Sequence, residues 1–390
     1  MNLETRKNLT RPRRILSIDG GGIRGVIAAE ILLKIEDILC NRDTPWNCLA
    51  DYFDLIGGTS TGSILASALA MGMRVQDILD LYVNHGHDIF SPNVFWKRWL
   101  FSRYKSQPLE RRLKDLFGDK TLDSNELKTF LAIVSKNATT ARNYFFINHP
   151  DNRFYDDNQS LPLWQLIRAS TAAPSFFPPQ SMTVKTHGKK HDYEFIDGGM
   201  SMFNNPGFQL FVEATQPQYR ICWKTGADNL LLVSIGTGFS SNTIAFERAK
   251  RHTILNWAPY AIGTLMEDAS VQQNFIMGLI GTTPPELQRR MDDELRNLSI
   301  PICRELQDLQ HSDASPHATQ LSNLLTYHRY TTVFSETRFQ DLKLKSITPN
   351  QVAAMDAVAQ IPALKEIGQA IADEQVRPEY FDNFLHPDSE

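Results

Sequence analysis

A serine lies at the centre of a glycine-rich segment whose spacing suits nucleophilic chemistry. Gly58, Ser60 and Gly62 form the pattern Gly-x-Ser-x-Gly between an apolar run that ends at Ile56 and an apolar stretch over 64–70. A serine on a tight strand-to-helix turn presents its hydroxyl for attack, and the two glycines leave room for backbone that passes close to it. The start of the following helix favours negative charge on a reacting oxygen. We therefore predict that Ser60 is a catalytic nucleophile; a glycine-softened turn before a core helix is the structural alternative.

A second glycine loop precedes the serine and offers a row of backbone N–H groups. Its residues, which follow a short apolar run at 14–18, are Asp19, Gly20, Gly21, Gly22, Ile23, Arg24 and Gly25. The same spacing fits the dinucleotide fingerprint, but the acidic residue expected after the second strand is replaced by the serine segment. We therefore interpret Gly20, Gly21 and Gly22 as an oxyanion hole. Arg24 either adds positive charge there or pairs with a carboxylate, and the residues alone leave both open.

A third candidate is an acidic residue with glycines behind it. Asp197 ends the run 193–196, which reads as a strand, and Gly198 and Gly199 follow. Strands alternate with helices along the chain, which predicts an α/β fold with a mostly parallel sheet. In such sheets functional sites lie beyond the carboxyl ends of the strands. We therefore expect the first glycine loop, Ser60 and Asp197 to converge on one edge of the sheet.

Composition excludes several classes of function. The 390 residues carry a net charge of −4 with 22% charged residues, so no global basic field argues for a nucleic-acid polymer as partner. The four cysteines have no metal-like spacing, and reduced thiols suit a cytoplasmic protein. The first 14 residues are basic without an apolar core, and no apolar run approaches the length of a membrane span. We expect a cytoplasmic protein that makes peripheral contact with the inner membrane surface.

Three regions follow from these patterns: a basic N-terminal tail over 1–13, a catalytic core over 14–240, and a mostly helical part over 241–390 packed on the same domain. The last region carries no recognisable motif. Its residue pattern predicts a late strand at 330–334 and a helix from Pro349 to about Ala372, bent at Pro362. Tryptophans and cations alternate over 90–104, which suits either a lipid headgroup boundary or a partly buried helix.

Taken in order, three motifs resemble those of the patatin-like phospholipases: Asp19-Gly-Gly-Gly-Ile-Arg-Gly25, Gly58-Thr-Ser60-Thr-Gly62 and Asp197-Gly-Gly199. Shorter segments at 170–174, 204–206 and 234–238 agree, so the resemblance spans about 14–238. It implies a three-layer α/β/α fold with a mostly parallel central sheet and a helical C-terminal extension. It also implies a lipid acyl hydrolase that needs no metal or other cofactor and acts on glycerophospholipids at a membrane surface.

The resemblance further implies a catalytic dyad in place of a triad. Ser60 would attack the ester, Asp197 would accept its proton, and Gly20, Gly21 and Gly22 with Arg24 would hold the oxyanion. A carboxylate with an ordinary pKa of about 4 is a weak base for a serine hydroxyl. We therefore expect Asp197 to be buried, so that burial and the oxyanion hole together make proton transfer feasible.

Three alternatives stay open from the sequence. A conventional Ser-His-Asp esterase would take one of the downstream histidines, which are His252, His311, His317, His328 and His386. A regulated effector of antiphage defence would be switched on by a cyclic nucleotide, with the C-terminal third holding the nucleotide or a contact in a homo-oligomer. A non-catalytic lipid-binding module would keep the fold without the reaction.

Overall fold

A computed structural model of the chain describes residues 3–40, 44–89, 104–174, 176–186, 188–240, 244, 246–297 and 323–385. The aromatic and basic segment predicted over 90–104 lies outside these residues except for Tyr104. The strands are β1 Arg13–Ile18, β2 Leu55–Thr59, β3 Phe130–Asn137, β4 Asn143–Ile147, β5 Gln180–Thr186, β6 Lys189–Asp197, β7 Leu230–Ile235, β8 Phe239–Ser240, β9 Gly281–Thr282, β10 Leu325–Tyr330 and β11 Val333–Phe334.

The α-helices are α1 Leu3–Lys7, α2 Gly25–Cys40, α3 Leu49–Tyr52, α4 Thr61–Ala70, α5 Val75–Ile89, α6 Gln107–Phe117, α7 Tyr155–Asn158, α8 Leu163–Ser170, α9 Gly207–Thr215, α10 Ile254–Ile280, α11 Pro285–Asn297, α12 Glu336–Asp341, α13 Pro349–Val352 and α14 Ile361–Gln375. Short 3₁₀ turns lie at Gly22–Arg24, Gly198–Met200, Pro217–Tyr219, Ala249–Arg251, Val358–Gln360 and Pro378–Phe384.

The central sheet has the strand order β5-β6-β3-β2-β1-β7-β10-β9, and β4 pairs with β3. The strands from β3 across to β9 run parallel to their neighbours in that order, whereas β4 and β6 are antiparallel to β3 and β5 is antiparallel to β6. Both faces of the sheet are covered, because successive residues of one strand enter different apolar clusters. In β1, Ile15 belongs to one cluster and Leu16 to the other. The predicted three-layer fold with a mostly parallel sheet is confirmed.

The helices divide between the two faces. The face of Leu16 carries α2, α4 and α14, and the face of Ile15 carries α9 with parts of α10 and α11. Helix α14 lies so close to α2 that a Cβ on Gly368 would come within 2.7 Å of the Glu30 Cβ. The C-terminal part therefore packs directly on the first helix of the chain.

The C-terminal part also supplies a strand to the main sheet, at a place that differs from the prediction. The long late strand is Leu325–Tyr330, parallel to β7. Of the predicted segment 330–334, Tyr330 ends this strand, and Val333–Phe334 form the short strand β11, which pairs with β8. The long strand's sequence Leu-Thr-Tyr-His-Arg-Tyr lacks an unbroken apolar run, so its buried position is hidden in the residue pattern. The helix predicted from Pro349 is two helices, and Pro362 lies in the first turn of the second, where its missing N–H costs no hydrogen bond.

The basic N-terminal residues fold onto the core. Arg6 is fully buried, and its guanidinium donates to the carbonyl oxygens of Ala50 and Phe53 and to the Asp54 carboxylate. Arg11 donates to both oxygens of the same carboxylate. The charge of this segment therefore serves attachment to the sheet. Among the described helices, none combines the length and the apolar character that crossing a bilayer requires.

Candidate active site

The nucleophile segment forms a strained turn between β2 and α4. Ser60 has φ 54° and ψ −125°, a region that costs a non-glycine residue about 1–3 kcal/mol. The flanking glycines are needed because backbone lies against them. A Cβ on Gly58 would come within 2.1 Å of the Gly62 carbonyl oxygen, and a Cβ on Gly62 within 2.3 Å of the Ile18 carbonyl oxygen. The turn therefore holds its serine at the carboxyl ends of β1 and β2.

Strand β3 brings the serine and the aspartate together. Thr59, the last residue of β2, is in register with Val134, and Asp197, the last residue of β6, is in register with Ser135. Because β2 is parallel to β3 and β6 is antiparallel to it, the carboxyl ends of the two strands point toward each other. Residues 137 positions apart thus become neighbours.

The Ser60 hydroxyl donates to the Asp197 carboxylate, with 2.6 Å between Oγ and Oδ2. The other carboxylate oxygen accepts the Gly199 N–H at 2.7 Å, so the glycines behind Asp197 orient its side chain. Asp197 is only 3% exposed. Burial raises its pKa to about 6, although the bonds from Ser60 and Gly199 and the nearby Arg168 cation oppose the shift. A carboxylate with this pKa is a stronger base than an ordinary aspartate.

Two residues that the sequence did not single out individually support this pair. Ser170 accepts the Ser60 N–H at 2.9 Å and donates to the Val134 carbonyl oxygen at 2.6 Å, so its hydroxyl ties the elbow to β3. Arg168, two residues earlier on the same helix, is buried and donates to the Pro178 carbonyl oxygen. Its charge acts on Asp197 and favours the ionised carboxylate.

The first glycine loop lies against the elbow. A Cβ on Gly20 would come within 3.2 Å of the Ser60 Cβ, and one on Gly25 within 2.5 Å of Thr61 Oγ1. The Gly20 N–H donates to the Asn204 carbonyl oxygen at 3.0 Å, so it is engaged and does not serve the predicted oxyanion hole in this conformation. No backbone acceptor within the described residues takes the N–H of Gly21 or Gly22. Of the three amides in the predicted oxyanion hole, these two are therefore the ones that no described backbone group occupies.

Arg24 is buried between an aromatic ring and a carboxylate. Its guanidinium carbon lies 5.8 Å from the centroid of the Phe334 ring, and its side chain is buried. Burial lowers its pKa, and the Glu267 carboxylate opposes that shift. Glu267 comes from α10 and lines the same small cavity as Arg24. Of the two roles that the sequence left open, the geometry favours pairing with a carboxylate.

The glycine loop is anchored by residues far along the chain. Arg329 on β10 donates to both oxygens of Asp19, at 3.0 and 2.6 Å, and to the Ser234 hydroxyl at 2.8 Å. Thr237 donates its hydroxyl to the Gly20 carbonyl oxygen at 2.7 Å. Sequence reasoning missed Arg329, because an arginine inside a short polar strand carries no motif. Its only sequence signal is a strand pattern interrupted by a cation.

The geometry bears on the histidine alternative. Ser60 donates directly to a carboxylate, so no histidine lies between them. His328 is buried on β10 beside Tyr330 and Phe381, and burial lowers its pKa to about 3. His252 packs on Trp257, whereas His311, His317 and His386 lie outside the described residues. In the described part of the chain, no group of three His, Cys, Asp or Glu side chains is placed to hold a metal ion.

A family model described as Patatin-like phospholipase matches residues 16–211, which is half of the chain. Patatin-T5 of Solanum tuberosum is 30% identical over 243 residues, covering 58% of this chain and 61% of that protein. Patatin-17 of Solanum cardiophyllum is 28% identical over 260 residues, covering 62% and 66%. The chain thus spans less than two thirds of the length of these relatives.

Similarity alone does not separate active from inactive relatives. The chain is also 30% identical over 261 residues to a Solanum tuberosum protein named Probable inactive patatin-3-Kuras 1, covering 62% of this chain and 68% of that protein. The solved structure of human GIVD cytosolic phospholipase A2 aligns with a TM-score of 0.39 and 11% identity, over 98% of this chain and 62% of that one. The question of activity therefore returns to the geometry of the dyad.

Proposed function

The chain belongs to the patatin-like phospholipase family, and on that premise we propose that it is a lipid acyl hydrolase which cleaves acyl esters of glycerophospholipids through Ser60 and Asp197. The observation that carries the proposal is the hydrogen bond of 2.6 Å from the Ser60 hydroxyl to the Asp197 carboxylate. A buried carboxylate with a pKa near 6 beside a strained serine supports a reactive pair better than a structural one.

In the first half of the reaction, Ser60 Oγ attacks the ester carbonyl carbon while its proton passes to Asp197 Oδ2. The carbonyl oxygen becomes an oxyanion, which the Gly21 and Gly22 N–H groups stabilise. The tetrahedral intermediate then breaks its bond to the alcohol oxygen. The proton held by Asp197 goes to that oxygen, the lysophospholipid leaves, and the acyl group stays on Ser60.

In the second half, a water molecule attacks the acyl-enzyme and gives its proton to Asp197. The second tetrahedral intermediate expels Ser60 Oγ, which recovers the proton, and the fatty acid leaves. One carboxylate thus serves as base and acid in turn. A pKa near 6 suits both tasks at neutral pH better than the ordinary value of about 4 does.

Product analysis on defined phospholipids tests the proposal. Wild-type protein should release free fatty acid and lysophospholipid, measured by mass spectrometry, and the Ser60→Ala variant should release neither above background. Hydrolysis by Ser60→Ala at the wild-type rate would contradict the assignment. The absence of products with wild type on every phospholipid and on soluble esters would favour the non-catalytic lipid-binding alternative.

The regulated-effector hypothesis can be tested separately. Activation by a cyclic nucleotide, a role in antiphage defence and assembly into a homo-oligomer are not favoured by any contact among the described residues. Hydrolysis rates with and without a panel of cyclic di- and trinucleotides decide the first of these, because an activator must raise the rate.

A further inference from the structure

The middle of helix α10 lies against the active site. Met266 lies against the turn behind the aspartate, since a Cβ on Gly199 would come within 2.9 Å of the Met266 methyl carbon. One turn further on, the Ser270 hydroxyl accepts the side-chain amide of Asn204 at 3.1 Å. The helix is therefore fixed to the catalytic edge of the sheet.

The first half of α10 presents apolar side chains to solvent. Trp257, Ala261 and Leu265 are all exposed, with exposed fractions of 39% for Trp257 and 69% for Leu265. They are four residues apart, so they lie along one face of the helix over about 12 Å. Trp257 contacts the rings of His252 and Tyr260 on one side, and the rest of this apolar stripe of α10 stays open to solvent.

Further exposed apolar side chains belong to segments next to the stripe. Met202, 55% exposed, follows the Gly198–Met200 turn, and Phe246, 93% exposed, precedes α10. Of the seven large apolar side chains exposed among the described residues, four are Met202, Phe246, Trp257 and Leu265. Met202 and Leu265 belong to segments that meet at the catalytic edge, where Gly199 lies against Met266, and Phe246 and Trp257 flank the amino end of α10. Exposed apolar surface gathered on neighbouring segments in this way marks an interaction surface.

The segment just before α10 is basic, whereas Glu267 and Asp268 follow Leu265 within the helix. Arg248, Lys250 and Arg251 lie between Phe246 and α10, and the acidic residue among them, Glu247, is 3.8 Å from Lys250. The amino end of α10 adds the positive end of a helix dipole. Cations beside exposed aromatic and aliphatic side chains match the headgroup boundary of an anionic membrane.

We propose that Met202, Phe246, Trp257 and Leu265, with Arg248, Lys250 and Arg251, form a docking face for the surface of an anionic phospholipid bilayer. The proposal rests on the proposed lipid hydrolase activity, because it names the surface from which that site takes its substrate. A bilayer supplies negative charge at its headgroups and an apolar layer just beneath them. Both features of the face are thereby matched by one occupant, with the catalytic edge turned toward the lipid.

Sedimentation with vesicles tests this face. The full chain should bind vesicles of phosphatidylcholine mixed with phosphatidylglycerol more tightly than vesicles of phosphatidylcholine alone. Leu265→Asp should weaken binding to the mixed vesicles by at least about tenfold, and Arg251→Glu by about fivefold or more. The matched control is Leu324→Asp, because Leu324 is 36% exposed but precedes β10 at the opposite edge of the sheet. It should bind as wild type does.

A soluble ester separates docking from chemistry. Leu265→Asp should hydrolyse p-nitrophenyl butyrate at the wild-type rate while its rate on vesicles falls with its binding. Equal vesicle binding by Leu265→Asp and Leu324→Asp would overturn the docking face, as would self-association through this face without vesicle binding. If the wild-type protein binds vesicles as predicted but hydrolyses no ester, the result would instead overturn the proposed function and leave the docking face standing.

Discussion

Arg329→Met should destabilise the protein strongly, although Arg329 belongs to no motif. Its guanidinium forms two hydrogen bonds to Asp19, and the side chains of both residues are almost fully buried, at 2% and 4% exposure. Methionine fills a similar volume but leaves the Asp19 carboxylate without its partner. Asp19 begins the glycine loop, so the loss also reaches the predicted oxyanion site.

The size of the effect follows from burial. Removing one partner of a buried ion pair costs about 3–5 kcal/mol, because the remaining charge keeps its desolvation penalty. The exposed pair of Lys34 and Asp373 has a similar separation of 3.0 Å, but its side chains are 41% and 72% exposed. Breaking that pair with Lys34→Met should cost less than about 1 kcal/mol.

Urea-induced unfolding of wild type, Arg329→Met and Lys34→Met under one condition measures both losses of stability. The double variant Asp19→Asn/Arg329→Met should regain part of the stability that Arg329→Met loses, since it removes the unpaired charge. A loss for Arg329→Met no larger than that for Lys34→Met would contradict the expected cost of an unpaired buried charge. So would a double variant less stable than Arg329→Met alone.

Three further predictions concern the dyad. The value of kcat/KM for a soluble ester should fall below a pH of about 6, because Asp197 must be ionised to accept the proton and burial raises its pKa to about 6; a limb near pH 4 would contradict this. Gly62→Ala should lose activity and about 1–3 kcal/mol of stability, measured by urea unfolding, because its Cβ meets the Ile18 carbonyl oxygen at 2.3 Å. Ser170→Ala should lower kcat by about tenfold or more with little change in KM, because it frees the elbow from β3; steady-state kinetics on a soluble ester would show an unchanged kcat if Ser170 were only structural.

The residues that mark the site could be predicted from the sequence because each carries a local signal. Glycines after a short apolar run indicate a tight turn at a strand end, and parallel strands bring such ends to one edge. That argument places Ser60, the first glycine loop and Asp197 at one edge, with Asp197 at the end of a parallel strand. It does not give the hairpin of β5 and β6, which approaches β3 from the opposite direction and delivers Asp197.

Contacts between segments far apart in the chain could not be predicted from the sequence. Nothing in the polar pattern of β10 indicates that Arg329 meets Asp19, 310 positions away. Likewise, no local pattern indicates that the Asn204 carbonyl oxygen accepts the Gly20 N–H, which removes this amide from the predicted oxyanion hole. The pKa of Asp197 depends on burial and on three separate neighbours. Such properties arise from tertiary packing, which local residue patterns do not encode.

Direct transfer of the Ser60 proton to Asp197 is tested by the rate at which an alkyl fluorophosphonate labels Ser60. Intact-mass and peptide analysis of wild type and Asp197→Asn gives that rate, and asparagine keeps the shape of the side chain without its basicity. We predict one label, on Ser60, and a rate about 10²–10⁴ times lower in Asp197→Asn. Equal rates in the two proteins, or a label on another residue, would contradict the assignment of Ser60 and Asp197 as nucleophile and base.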